Sequence, residues 1–97
     1  MTFAKSTLTT LAALAASTSM AFAQCDQVVF SDVGWTDITT TTSATKQVLE
    51  ALGYEVDVKV LSVPVTFASL EKDDVDVFLG NWIPAQNAAI KPYLDSG

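Results

Sequence analysis

The chain has 97 residues and carries five basic side chains against eleven acidic ones, a formal charge of −6. That balance repels phosphate backbones and anionic headgroups, so it argues against nucleic acid and acidic membrane surfaces as partners. With no histidine and a single cysteine, Cys/His zinc sites are excluded, and so is serine or cysteine hydrolysis that uses a histidine base.

Residues 1–23 have the form of an export signal. Lys5 precedes an uncharged stretch, residues 6–24, rich in Ala, Leu and Thr. The signal ends in Ala21-Phe22-Ala23, the small-x-small pattern that signal peptidase cleaves. A short transmembrane anchor is the competing reading, but Ser and Thr interrupt the run and no basic stop-transfer cluster follows it. Lipid attachment at Cys25 would want a small residue before the cysteine, and Gln24 is bulky and polar. Cleavage after Ala23 leaves residues 24–97 as one domain, not inserted in the membrane. A chain of that size buries only about 60% of its surface on folding. Small exported domains commonly add disulfides. Here Cys25 is either free or paired with a cysteine outside this sequence. The chain stops at Gly97, directly after an expected helix, and so reads as a truncated product or fragment.

From residue 24 onward, strand and helix signals alternate. Residues 27–31 form a β-rich run, the expected first strand. The loop Asp32-Val33-Gly34-Trp35-Thr36-Asp37 follows, and a helix starts there with Thr36 or Asp37 as its N-cap. Ala44, Val48, Leu49 and Leu52 keep helical spacing, and Gly53 is a natural C-terminal stop. The β-branched threonines at 39–42 weaken the first turns. Residues 54–61 alternate, with Tyr54, Val56, Val58 and Val60 on one side, as in an outer strand with one wet face. Pro64 suits the first turn of a short helix ending near Leu70, and residues 71–74 make a polar corner. Residues 75–79 are an almost continuously apolar third strand, as a buried parallel strand should be. The loop Gly80-Asn81-Trp82-Ile83-Pro84 then leads to a last helix over residues 85–94.

The order β-α-β-α-β-α implies a parallel sheet with right-handed crossovers. Ligands of such sheets bind beyond the carboxyl ends of the strands, where the strand order reverses. With the order 2-1-3, that point lies between strands 1 and 3, whose outgoing loops carry Trp35 and Trp82. Either tryptophan could instead be a core or interface anchor. If they face a ligand, two indoles suit a diffuse positive charge coated in methyl groups, because their faces are apolar and carry a negative quadrupole. Asp37 would compensate that charge, serve as helix cap, or do both. Asp32 reads first as a turn former, and Asn81 as a residue that orients its loop through side-chain hydrogen bonds.

Four segments carry a resemblance: Phe30-Ser31-Asp32-Val33-Gly34-Trp35-Thr36-Asp37, Leu49-Glu50-Ala51-Leu52-Gly53-Tyr54, Val60-Leu61-Ser62-Val63-Pro64-Val65 and Asp76-Val77-Phe78-Leu79-Gly80-Asn81-Trp82. In order, and over almost all of residues 25–94, they resemble the choline-binding members of the glycine betaine/choline family of ABC-transporter substrate-binding proteins. The resemblance implies an α/β fold, the parallel-sheet lobe of a two-lobe periplasmic binding protein (type II-like), with only the first part of lobe 1 present. It implies an aromatic box in which Trp35 and Trp82 are walls and Asp37 lies near the cation. Asp32, Thr36 and Asn81 are secondary candidates. It further implies a periplasmic location, an inner-membrane ABC permease as partner, choline or a related betaine as ligand, and no cofactor, metal or catalysis. Glycine betaine, proline betaine and carnitine remain alternatives to choline, as does a fragment without function. A more distant rival is a small α/β phosphoryl-transfer protein using Asp32 or Asp37. The loop after strand 1 holds no Asp-x-Asp pair, no carboxylate directly follows strand 3, and there is no glycine-rich phosphate loop.

Overall fold

The computed structural model describes residues 26–97. The proposed signal, residues 1–23, and Cys25 lie outside the described residues. Three strands and three helices alternate: β1 Gln27–Asp32, α1 Thr36–Ala51, β2 Glu55–Val60, α2 Val63–Glu71, β3 Val77–Phe78 and α3 Asn87–Ser96. The sheet is parallel throughout with order β2-β1-β3, so β1 is central as expected. Gln27 lies opposite Glu55 and Phe30 opposite Val77.

Successive strand residues point to opposite faces of a sheet, and two adjacent residues of β1 show where the helices go. Asp32 accepts a hydrogen bond from Thr39 of α1 at 2.7 Å, whereas the Ser31 hydroxyl shares one with Thr66 of α2 at 2.6 Å. The two helices therefore cover opposite faces. Phe30, Ile38, Val56, Phe67 and Val75 are the buried apolar side chains. Phe67 meets Phe78 edge-on at 5.9 Å and Tyr93 of α3 at 6.0 Å, which fastens α3 to the α2 side.

Several sequence expectations shift. Trp35, not Thr36 or Asp37, is the N-cap of α1. The Trp35 carbonyl already accepts from Thr39 N at 2.8 Å, so the first helical bond forms one residue earlier. The threonine run does not delay this start, because the Thr40, Thr41 and Thr45 hydroxyls each donate to the carbonyl four residues back. The covered stripe of α1 is Ile38 and Thr42, with Leu49 half-buried. Val48 and Leu52 are 61% and 69% exposed, so the helical spacing of Ala44, Val48 and Leu52 marks an outer face.

Gly53 ends α1 as expected, at φ +97°. Gly53 N donates to Glu50 O and Tyr54 N to Leu49 O, both at 3.0 Å, the paired bonds of a Schellman cap. Tyr54 is thereby spent on the cap, and β2 begins at Glu55. Ser62 caps α2 by accepting from Val65 N, with Pro64 in the first turn. The third strand is shorter than residues 75–79. Val75 N bonds the Ser69 carbonyl, and the Asp76 carboxylate takes Val29 N at 2.8 Å, so side-chain bonding replaces part of the ladder. The last helix begins at Asn87 rather than residue 85, because the bonds from Gln86 N to Trp82 O and from Asn87 N to Pro84 O form turns first.

Candidate functional site

The carboxyl ends of β1 and β3 are adjacent, and each releases one tryptophan. After β1, Asp32 Oδ1 accepts from Gly34 N at 2.8 Å, and Gly34 adopts φ +80°, a left-handed conformation that favours glycine. This tight turn delivers Trp35 to the start of α1. After β3, Gly80 is buried, and an added Cβ there would lie 2.7 Å from Phe78 Cε2 and 3.1 Å from Ile38 Cγ1. A side chain there would have to displace the Phe78 ring, so glycine lets that backbone settle close to the first turn of α1. Trp82 follows two residues later.

The two loops bring the indoles together. Trp35 and Trp82 have ring centroids 4.8 Å apart and planes tilted by 41°. They keep 36% and 47% of their surface exposed, so neither is a core anchor. A group sandwiched between two rings needs about 3.5–4.0 Å to the carbons of each, and these rings are too close for that. They form adjoining walls of one corner.

Asp37 occupies the exposed first turn of the same helix, where the helix dipole leaves partial positive charge. Its backbone carbonyl accepts from Thr41, and its side chain makes no capping bond. Thr36 is exposed beside it, its carbonyl accepting from Thr40. Asp32 stands apart from these. It is 5% exposed, and its two carboxylate oxygens are committed to Gly34 N and Thr39 Oγ1, so the turn-forming role is the one its geometry serves. Asn81 departs from the expectation, for its Oδ1 is buried without a hydrogen-bond partner among the described residues.

Asn81 instead lines an open groove of about 680 Å³ between α2 and α3, together with Phe67, Leu70, Phe78, Ile90 and Tyr93. None of Trp35, Asp37 and Trp82 borders that groove. Gln86, which nothing in the sequence singles out, is 6% exposed, and its side-chain amide donates to Gly80 O at 2.7 Å. Its only sequence signal is an amide among small residues, which reads as an ordinary helix surface. Among the described residues no group of three or more metal-ligating side chains converges.

Comparison with known proteins gives the chain a family. A family profile, the substrate binding domain of the ABC-type glycine betaine transport system, matches residues 26–97. A solved ABC-transporter choline-binding protein in complex with choline is 64% identical, with a TM-score of 0.74. A solved unliganded, semi-closed choline-binding protein is likewise 64% identical, with a TM-score of 0.69. Each comparison covers 74% of this chain and 25% of the solved one. An uncharacterized protein, ORF1, of Chromohalobacter salexigens is 50% identical over 74 residues, which is 76% of this chain and 48% of the relative. The chain thus spans a quarter of the solved relatives and about half of the bacterial one, and its parallel three-stranded unit matches part of a binding-protein lobe. With a match running from Asp26 to the last residue, this chain belongs to the substrate-binding domain family of the ABC-type glycine betaine transport system.

Proposed function

We propose that this chain carries part of the ligand site of an exported ABC-transporter binding protein for a quaternary ammonium compound, with choline as the ligand. The observation that carries the reading is the Trp35–Trp82 corner beyond the carboxyl ends of β1 and β3. The 64% identity to a protein solved with choline supports it. In this reading Trp35 and Trp82 are two walls of an aromatic box, and Asp37 offsets the cation's charge. Thr36 sits beside Asp37 at the start of the same helix. The binding protein would work in the periplasm and pass its ligand to an inner-membrane permease, with no chemical step.

Magnitudes set what these residues alone achieve. Each indole contact with a cation contributes about 0.5–2 kcal/mol, so two contribute at most about 4 kcal/mol, which corresponds to a millimolar constant. Ordering the ligand costs part of that, and a corner with two walls leaves the far side of the cation in water. Tight binding requires further walls and closure of a second lobe. The test is a choline titration followed by tryptophan fluorescence, on this chain and on a longer protein bearing Gly34-Trp35-Thr36-Asp37 and Gly80-Asn81-Trp82. Millimolar or undetectable binding by this chain and much tighter binding by the longer protein are expected. Saturable micromolar binding by this chain would overturn the two-lobe account, and no binding by the longer protein would overturn the choline reading.

Glycine betaine is the second reading, favoured by the description of the matching family. It carries its own carboxylate, which Asp37 would repel. An exposed Asp37 at this edge favours the plain cation.

A further inference from the structure

We infer that Gln86 is a positioning residue, a buried clip that holds Trp82 against Trp35. Trp82 is 47% exposed, so burial of its own ring does not fix where it points. Its orientation must come from its backbone, and two hydrogen bonds from Gln86 fasten that backbone on both sides of Asn81. The side-chain Nε2 donates to the Gly80 carbonyl at 2.7 Å, and the main-chain N–H donates to the Trp82 carbonyl at 2.8 Å. The side-chain bond is buried, where the competing bond to water is absent and a donor left out is costly. Gly80 is also pressed on Phe78 and Ile38, so the clip ties the loop to the helix that Trp35 caps.

The main-chain bond survives any substitution except proline, so the side-chain bond to Gly80 is what mutation can remove. Among the described residues, Gln86 Nε2 is the side-chain donor to that carbonyl. The Oδ1 of Asn81 and the Oε1 of Gln86 are both buried without partners among the described residues, so the loop already holds unpaired acceptors. Losing the one donor would leave Gly80 O as another. The cheapest relief is for the loop to swing outward to water, and Trp82 would leave Trp35 with it. The relevance of this clip to ligand binding rests on reading the tryptophan corner as a site. The clip itself does not.

The test uses this chain and needs no ligand. Indoles 4.8 Å apart couple their electronic transitions, so the chain should show an exciton couplet in circular dichroism that Trp35→Phe and Trp82→Phe each abolish. Gln86→Met fills a similar slot without a donor, and Gln86→Asn keeps the amide but is one carbon too short to reach Gly80. Both should lose most of the couplet while the chain stays folded, and choline binding by a longer protein with the same change should weaken several-fold. A residue that only stabilises the fold would lower the melting temperature and leave the couplet of the folded chain intact. That result overturns the proposal. If neither variant folds, the unsubstituted chain still decides. The Gln86 side-chain amide protons should resist exchange with deuterium far longer than those of exposed Gln27 and Gln47, and fast exchange would overturn the clip. Loss of the couplet with no choline binding by any form would leave the clip standing and reject the ligand reading alone.

Discussion

At the scale of single residues, Trp35 and Trp82 differ from the other large apolar side chains of the edge because they touch each other while remaining open to solvent. In a longer protein bearing these motifs, Trp35→Ala or Trp82→Ala should each weaken choline binding by about 1–3 kcal/mol, roughly five- to more than a hundredfold. Trp→Phe should cost less, since a smaller aromatic face remains. Asp37→Asn should weaken choline more than glycine betaine, because it removes an attraction for the cation but relieves a repulsion for the zwitterion. Calorimetric titration of both ligands into each variant checks the pattern. An equal loss for the two ligands would remove Asp37 from the site.

At the scale of elements, α1 carries a local cost where it meets the sheet. Thr42 is 1% exposed, and its hydroxyl is buried without a partner among the described residues. Its neighbours Thr40, Thr41 and Thr45 bond back along the helix, but Thr42 faces the core with a polar atom. Thr42→Val has nearly the same shape and removes an unsatisfied group, whose burial costs about 1–3 kcal/mol. The substitution should raise stability by about 1 kcal/mol, seen as a higher denaturant midpoint with an unchanged slope. A lower midpoint would mean that the hydroxyl has a partner, such as a bound water. The opposite end of α1 is held differently: Lys46 reaches Glu50 on its own helix and donates to the Val56 carbonyl of β2 at 2.9 Å.

At the scale of the molecule, the sheet is narrow, and Val60, Leu52, Ile83 and Leu94, which lie on different segments of the chain, are 69–74% exposed. The solved relatives are about four times as long as the part matched here. Export is the testable property of the whole chain. Expressed in a Gram-negative host with residues 1–23 in place, a stably folding longer form should appear in the periplasm with Gln24 as its first residue. N-terminal sequencing decides this, and an intact Met1 or a lipid on Cys25 would refute the cleavage site.

The alternation of strand and helix was legible from the sequence, because it follows from local rules: period-two and helical patterns, and glycines where a left-handed turn is needed. The convergence of both tryptophans on one sheet edge followed only once the order 2-1-3 was supposed, and the tertiary structure supplies that order. Gly53 ends α1 and Pro64 sits in the first turn of α2 where the sequence places them, since such signals depend on residues a few positions apart. The buried face of α1 was not legible, because Ile38 and Thr42 are covered by partners distant in sequence, while the more apolar Val48 and Leu52 are not. The shortness of β3 depends on Asp76 reaching Val29, a contact across 47 residues. Gln86 was invisible for the same reason. Its importance arises only when the chain folds back and presents the Gly80 carbonyl to a buried amide, and no spacing rule encodes a hydrogen bond that tertiary packing creates.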